Sequence, residues 1–233
     1  MSNPEQAGLA RVDAAIVAIW AGLSLLARRL IGELPIAHTP QQAVLALLET
    51  APSRMLWLPL VFYAGILLLA VPLFHRTYRQ NSPQWSRLGL ACGWLGFLLF
   101  AVGLSLNVVQ ATAAPLYVAG STLSGGADLG GRLETVWVAD QVVSAAALVL
   151  LAGWMGAVSR AGQGPRQPAL PRWFVLGGLV AALVTAVAGV AGVLSRGNLL
   201  TLDAGDGLIL VHLWTGLLGS LLWQQGRDRR RGS

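Results

Sequence analysis

Residues 136–158, VWVADQVVSAAALVLLAGWMGAV, form a stretch long and apolar enough to be a transmembrane helix. A helix needs about 20 mostly apolar residues to cross the ~30 Å hydrocarbon layer of a bilayer. This stretch carries one ionisable residue, Asp140, and a charged side chain in hydrocarbon is costly. Asp140 therefore needs a partner, a water-filled cavity or a function.

Five further apolar stretches predict an all-α, polytopic membrane bundle of six transmembrane helices. The predicted spans are residues 12–31, 55–74, 88–109, 136–158, 173–194 and 207–223. The chain is 55% hydrophobic and 11% charged, whereas soluble domains contain about 25% charged residues. We interpret residues 1–233 as a single transmembrane domain.

The residue types that are missing exclude several chemistries. All sixteen basic residues are arginines; without lysine the chain can form neither a retinal Schiff base nor a Walker-type phosphate loop. Cys92 is the only cysteine, which excludes an internal disulfide and a cysteine-ligated iron–sulfur cluster. The chain also lacks a His-Glu-x-x-His motif and a serine nucleophile elbow. We expect a non-enzymatic protein with no metal and no cofactor.

The arginines predict the orientation of the bundle. One side receives eleven of them: Arg11, Arg76, Arg79, Arg87, Arg160, Arg166, Arg172, Arg227, Arg229, Arg230 and Arg231. The other side receives Arg28, Arg29, Arg54, Arg132 and Arg196. The positive-inside rule then places both termini in the cytoplasm, in a bacterial inner membrane. The net charge of +6 is thus interpreted as a topology signal, and no nucleic acid is expected as a partner.

The two longer connections lie on the outer side in this orientation. In residues 32–54, Thr39 suits an N-cap and Pro40 suits a first helical turn, which predicts a short interfacial helix. Residues 110–135 contain two glycine pairs and are predicted to be a flexible outer loop.

His212 occupies a position in the sixth predicted span like that of Asp140 in the fourth. Each lies six residues beyond an acidic residue at the outer edge, Asp206 and Glu134 respectively, or about 9 Å along a helix. We therefore predict that both belong to one polar layer in the outer leaflet. The other residues predicted to contribute ligand or proton-relay groups to this layer are Arg28, Arg29, Asn107, Gln110 and Gln141.

Three interpretations of this layer remain open. A buried pair of Asp140 with an arginine or with His212 can simply fix helix register, and such pairs often stabilise little. The layer can alternatively bind a ligand or transfer a proton. The span edges can also be misplaced, so that both groups lie at the interface.

Two further expectations concern packing and His75. Small residues four apart, Gly178/Ala182 and Thr185/Gly189, predict close helix approach in the fifth span. His75 follows the second span beside Arg76 and is predicted to be a solvated interfacial histidine. His75 and His212 are then expected near opposite sides of the membrane, which argues against a bis-histidine haem.

Three short motifs lie at the ends of predicted spans. They are LFHRTYR at residues 73–79, SRLGL at residues 86–90 and LPRW at residues 170–173. With the six-span topology, they resemble an uncharacterised family of six-helix bacterial membrane proteins, a domain of unknown function. The resemblance implies a six-helix fold and carries over no activity and no site residues. The combination of Asp140 and His212 is not part of the family pattern.

The sequence favours a non-enzymatic membrane protein, a binding or accessory subunit with a polar pocket in the outer half of the bundle. The alternative is a small proton-coupled secondary transporter that uses Asp140 and His212. Expected partners are membrane lipids together with other proteins of a membrane complex or a second copy of this chain.

Overall fold

The computed structural model describes residues 82–120, 126–163, 170–194 and 204–231, and the single residues Leu68, Val71 and His75. Every regular element in this part of the chain is an α-helix. The four helices are α1 (Pro83–Gly120), α2 (Gly126–Ala161), α3 (Arg172–Leu194) and α4 (Ala204–Arg231). The predicted interfacial helix at 32–54 and most of the first two predicted spans lie outside the described residues.

Three of these helices contain segments that are long and apolar enough to cross a membrane, which confirms the membrane class. The segments are Pro83–Leu106, Val138–Ala161 and Arg172–Ala191. They overlap the third, fourth and fifth predicted spans. The sixth predicted span falls inside α4, whose described side chains cover only residues 210–225. Six helices and the orientation of the termini stay predictions.

Helix starts follow local rules of capping. Ser82 precedes Pro83, and the Ser86 N–H donates to the Ser82 carbonyl at 2.9 Å, which closes the first turn of α1. Proline is tolerated there because the first helical N–H groups have no intrahelical acceptor. Pro171 corresponds to Ser82 in position: it precedes the first residue of α3, and its carbonyl accepts from the N–H of Phe174 and of Val175.

The predicted flexible loop at 110–135 is largely wrong. α1 continues to Gly120, and α2 already begins at Gly126, so only residues 121–125 lie between the two helices. α1 is 38 residues long and α2 is 36. The alanine-rich residues 111–114 favour a helix, and a glycine inside a helix costs only about 1 kcal/mol relative to alanine.

α1 and α2 pack in antiparallel fashion along a line of glycines. A Cβ on Gly96 would approach Leu151 at 3.0 Å, and one on Gly93 would approach Trp154 at 2.7 Å. Larger side chains at these glycines would push the two backbones apart. α2 also contacts α3 and α4, and α3 contacts α4, so α2 is the central helix of the described part.

The prediction of tight packing by small residues in the fifth span is confirmed. Ala182 and Thr185 are buried, and a Cβ on Gly189 would lie 3.1 Å from the Ala145 carbonyl oxygen of α2. The α2–α3 connection is closed by the Leu170 N–H, which donates to the Gly162 carbonyl at 2.9 Å. This bond brings the end of α2 to the start of α3.

Candidate functional site

Asp140 is buried at the contact between α1 and α2, with 6% of its surface exposed. The Ser144 hydroxyl, one turn further along α2, donates to Asp140 Oδ1 at 3.3 Å. Across the interface a Cβ on Gly103 would lie 3.6 Å from the same oxygen and 3.0 Å from Ser144 Oγ. The carboxyl group therefore sits against the backbone of α1, where the absence of a side chain leaves it room.

Of the other residues predicted to share a polar layer with Asp140, the structure describes the side chains of Gln141 and His212. Gln141 is exposed, because consecutive residues of a helix point about 100° apart. Asn107 and Gln110 lie on α1, and their side chains are outside the described part. Arg28 and Arg29 also lie outside it.

His212 is buried in α4, with 3% of its surface exposed. Thr215 follows it by three residues on the same face of α4. The Thr215 hydroxyl lies 2.7 Å from the Val211 carbonyl oxygen and 2.9 Å from that of His212. The hydroxyl proton is therefore used within α4 itself.

The structure places Asp140 and His212 at different depths instead of in one common layer. Trp214, two residues after His212, packs edge to face on Trp154 with ring centroids 5.5 Å apart. A Cβ placed on Gly178 would lie close to both Trp214 Nε1 and Ser159 Oγ, so these two atoms lie at the same level of the bundle. Ser159 is nineteen residues beyond Asp140 on α2, or about 28 Å along the helix.

The physical reason is a shift of α4 along its own axis. The depth estimate assumed that the acidic residues Glu134 and Asp206 mark the same membrane edge. The contacts of Trp214 with Phe174 and Gly178 set α4 against the first turns of α3 instead. His212 therefore lies near the end of the bundle where α2 ends and α3 begins.

His75 was expected to be solvated, and this expectation is wrong. Only 2% of its surface is exposed. The Trp154 indole N–H donates to His75 Nε2 at 2.9 Å, and the Ser86 hydroxyl donates to the His75 carbonyl at 2.9 Å. A Cβ on Gly89 would collide with the imidazole ring, so this glycine makes room for the histidine.

The Trp154 bond determines the protonation state of His75. An indole N–H can only donate, so Nε2 must be the unprotonated nitrogen, and the neutral ring carries its proton on Nδ1. Burial lowers the pKa of His75, which follows the second predicted span at residues 55–74, to about 4. The bond and the burial both favour the neutral imidazole.

His75 belongs to a group of aromatic side chains that we call the His–Trp cluster: His75, Trp154, Trp214 and Phe174. Trp214 stacks on Phe174 with centroids 5.5 Å apart and an interplanar angle of 25°. The sequence contains one signal for this cluster, since tryptophans usually mark membrane interfaces and Trp154 and Trp214 lie inside predicted spans. Their partners are distant in sequence and could not be named from it.

Two polar atoms beside the cluster have no hydrogen-bond partner within the described part of the chain. They are Ser159 Oγ and Trp214 Nε1, both buried. Both lie close to the Cβ position of Gly178, so the first turns of α3 leave no space for a side chain between them. An unpaired buried N–H or O–H costs about 1–3 kcal/mol, so the two atoms lower the stability of this part of the bundle.

The cluster also changes the argument about haem. Trp154 contacts His75 and Trp214 at once, so His75 and His212 lie near the same end of the bundle and not near opposite sides. His75 Nε2 is occupied by the Trp154 N–H, however, and is not available to a metal in this arrangement. Among the described residues no three histidine, cysteine or acidic side chains come together as metal ligands.

Comparison of the chain with models of protein families, with curated protein sequences and with solved structures found no match. The function must therefore be inferred from the geometry of the chain itself.

Proposed function

We propose that the protein is a non-enzymatic integral membrane protein that acts as a binding or accessory subunit, with Asp140 in a polar pocket in the outer half of the bundle. The observation that carries the proposal is the burial of Asp140 inside the candidate span Val138–Ala161. A carboxyl group kept inside an apolar span at a cost in stability is commonly retained for a function.

The surroundings of Asp140 favour binding over catalysis. Ser144 supplies a hydroxyl and Gly103 supplies an open backbone surface. His212, the base predicted to share a layer with Asp140, lies too far along the bundle to act together with it. A carboxyl group and a hydroxyl beside a bare backbone suit the recognition of a polar group carried by a lipid or by a partner helix.

Native mass spectrometry of the protein purified in mild detergent tests this proposal. The wild type should retain a lipid, another small molecule or a protein partner, and Asp140→Asn should lose it while folding normally. Gln141→Asn is the matched control, because it changes the exposed neighbour, and it should retain the bound species. A wild-type monomer that carries nothing would contradict the proposal.

A proton-coupled transporter is the second candidate, supported by the burial of both Asp140 and His212. Their separation along the bundle removes direct proton transfer between them, so Asp140 would carry the coupled proton without His212. In proteoliposomes, Asp140→Asn should then abolish pH-driven uptake, whereas His212→Gln should reduce it only partly. Uptake unchanged by Asp140→Asn would exclude this candidate.

A further inference from the structure

Three candidate spans end together at one edge of the bundle. α1 begins at Pro83, α2 ends at Ala161 and α3 begins at Arg172, and these are also the ends of the apolar segments. The bond from the Leu170 N–H to the Gly162 carbonyl holds the last two of these ends together. This edge is therefore one continuous surface built from three helices.

Five exposed side chains of this edge are arginines and tryptophans, and we call them the Arg–Trp rim: Trp85, Arg87, Arg160, Arg172 and Trp173. Arg160 precedes Gly162 by two residues, and Arg172 follows Leu170 by two residues, so the hydrogen-bonded pair keeps both arginines at the same level. On α1, a Cβ on Gly89 would lie 3.2 Å from Ala157. Arg87 therefore lies near the level of Arg160.

The ends of α1, α2 and α3 themselves supply no acidic side chain to the rim. Residues 82–98, 154–163 and 170–180, which form these helix ends, contain no aspartate and no glutamate. Arg160 makes one polar contact, a donation to Gln163 Oε1 at 3.4 Å. All three guanidinium groups are therefore exposed and face a region where an anion would be attracted.

The tryptophans indicate where that anion would lie. Trp173 is 60% exposed and Trp85 is 41% exposed, although both are large and apolar. Exposed indole rings at the ends of apolar spans are typical of the headgroup level of a bilayer. Arginine pairs with phosphate through two parallel N–H···O bonds. The rim thus combines an interfacial depth with phosphate-binding groups.

We propose that the Arg–Trp rim binds the phosphate of an anionic phospholipid headgroup. Arg160 and Arg172 donate to the phosphate from the adjoining ends of α2 and α3, and Trp173 packs against the glycerol region. The proposal goes beyond the suggested role of Asp140, because the rim lies at the other end of the candidate spans. Each site can therefore fail without the other.

The test uses full-length protein and an equimolar mixture of phosphatidylglycerol and phosphatidylcholine, with lipids that stay bound counted by native mass spectrometry. The wild type should retain mainly phosphatidylglycerol. The double substitution Arg160→Gln/Arg172→Gln should weaken this retention by about fivefold for each arginine removed. Arg160→Lys/Arg172→Lys keeps the charge and loses the bidentate geometry, so it should fall between the two.

Two controls decide between a site and a general charge effect. Arg227→Gln/Arg229→Gln removes the same charge from the end of α4 and should reduce phosphatidylglycerol retention clearly less than the rim substitutions; an equal loss would overturn the proposal. Inorganic phosphate at 100-fold excess over lipid should not displace the phosphatidylglycerol, and full displacement would show a site for free phosphate. In phosphatidylcholine alone, every variant should have the unfolding temperature of the wild type. If the folded Arg160→Gln/Arg172→Gln variant retains as much phosphatidylglycerol as the wild type, the proposed lipid site is also wrong.

Discussion

At the residue scale, the Trp94 side chain donates a hydrogen bond in place of a backbone N–H that Pro72 lacks. Leu68 is helical, and in an α-helix its carbonyl would accept the N–H of residue 72. That residue is Pro72, which has no N–H. The Trp94 indole N–H donates to the Leu68 carbonyl at 2.9 Å, so a neighbouring helix supplies the missing donor. Such repair is the condition for tolerating proline in membrane helices.

Trp94→Phe should therefore destabilise the protein by about 1–3 kcal/mol, because the Leu68 carbonyl loses its donor. Pro72→Ala restores a backbone N–H at residue 72. In the Pro72→Ala background the same Trp94→Phe change should cost clearly less. Thermal unfolding of the four proteins in detergent measures this coupling, and an equal loss in both backgrounds would rule out the repair.

His75 gives the protein a specific dependence on acid. Its folded-state pKa of about 4 lies below the ordinary histidine value of about 6.5. Between these values the unfolded chain binds a proton and the folded chain does not, so stability falls as the pH falls through this window. Above it the neutral form prevails in both states and the pH has no effect through this group.

Lowering the pH from 7 to 4.5 should thus reduce the free energy of unfolding by on the order of 3 kcal/mol at most. The loss should be smaller in His75→Gln, where an amide oxygen can accept the Trp154 N–H without titrating. Unfolding temperatures across this range, compared between the two proteins, provide the measurement. Parallel pH profiles would show that another group is responsible.

At the element scale, two adjacent glycines of α3 face opposite environments and provide an internal control. Gly178 is buried, and a Cβ there would collide with Ser159 Oγ and lie 2.6 Å from Trp214 Nε1. Gly177 is exposed, with nothing within 4 Å of the corresponding Cβ position. The same substitution should therefore have opposite effects at the two positions.

Gly177→Ala should stabilise the protein by up to about 1 kcal/mol, because alanine favours the helix. Gly178→Ala should destabilise it by about 1–3 kcal/mol, because α3 and α4 must separate to admit the methyl group. Tryptophan fluorescence should also change only in Gly178→Ala, because Trp214 adjoins that site. Similar unfolding temperatures for both variants would contradict the described packing of α4 on α3.

At the scale of the whole molecule, local patterns predicted the elements and not their alignment. Hydropathy was sufficient for the helical class and the membrane class, since span length and composition are properties of single segments. The buried position of Asp140 also followed from its place in an apolar run. The depth of His212 did not follow from the sequence, because it depends on how Trp214 of α4 packs on Gly178 of α3.

The burial of His75 could not be predicted for the same reason. Its position beside Arg76 predicted solvent, whereas the bond from Trp154 joins residues 79 positions apart in the chain. The helical structure within residues 110–135 was missed for a different reason. Its glycines were interpreted as breaks, although alanine-rich flanks and a partner helix can sustain a helix through them.

The lengths of α1 and α2 have a mechanical consequence. Helices of 38 and 36 residues measure about 57 and 54 Å, nearly twice the ~30 Å hydrocarbon layer. Even at a tilt of about 40° from the membrane normal, helices of this length extend over more than the ~30 Å hydrocarbon layer. Some turns of α1 and α2 must therefore lie among the lipid headgroups or in water, where the surface of the helix pair is accessible to molecules that do not enter the lipid.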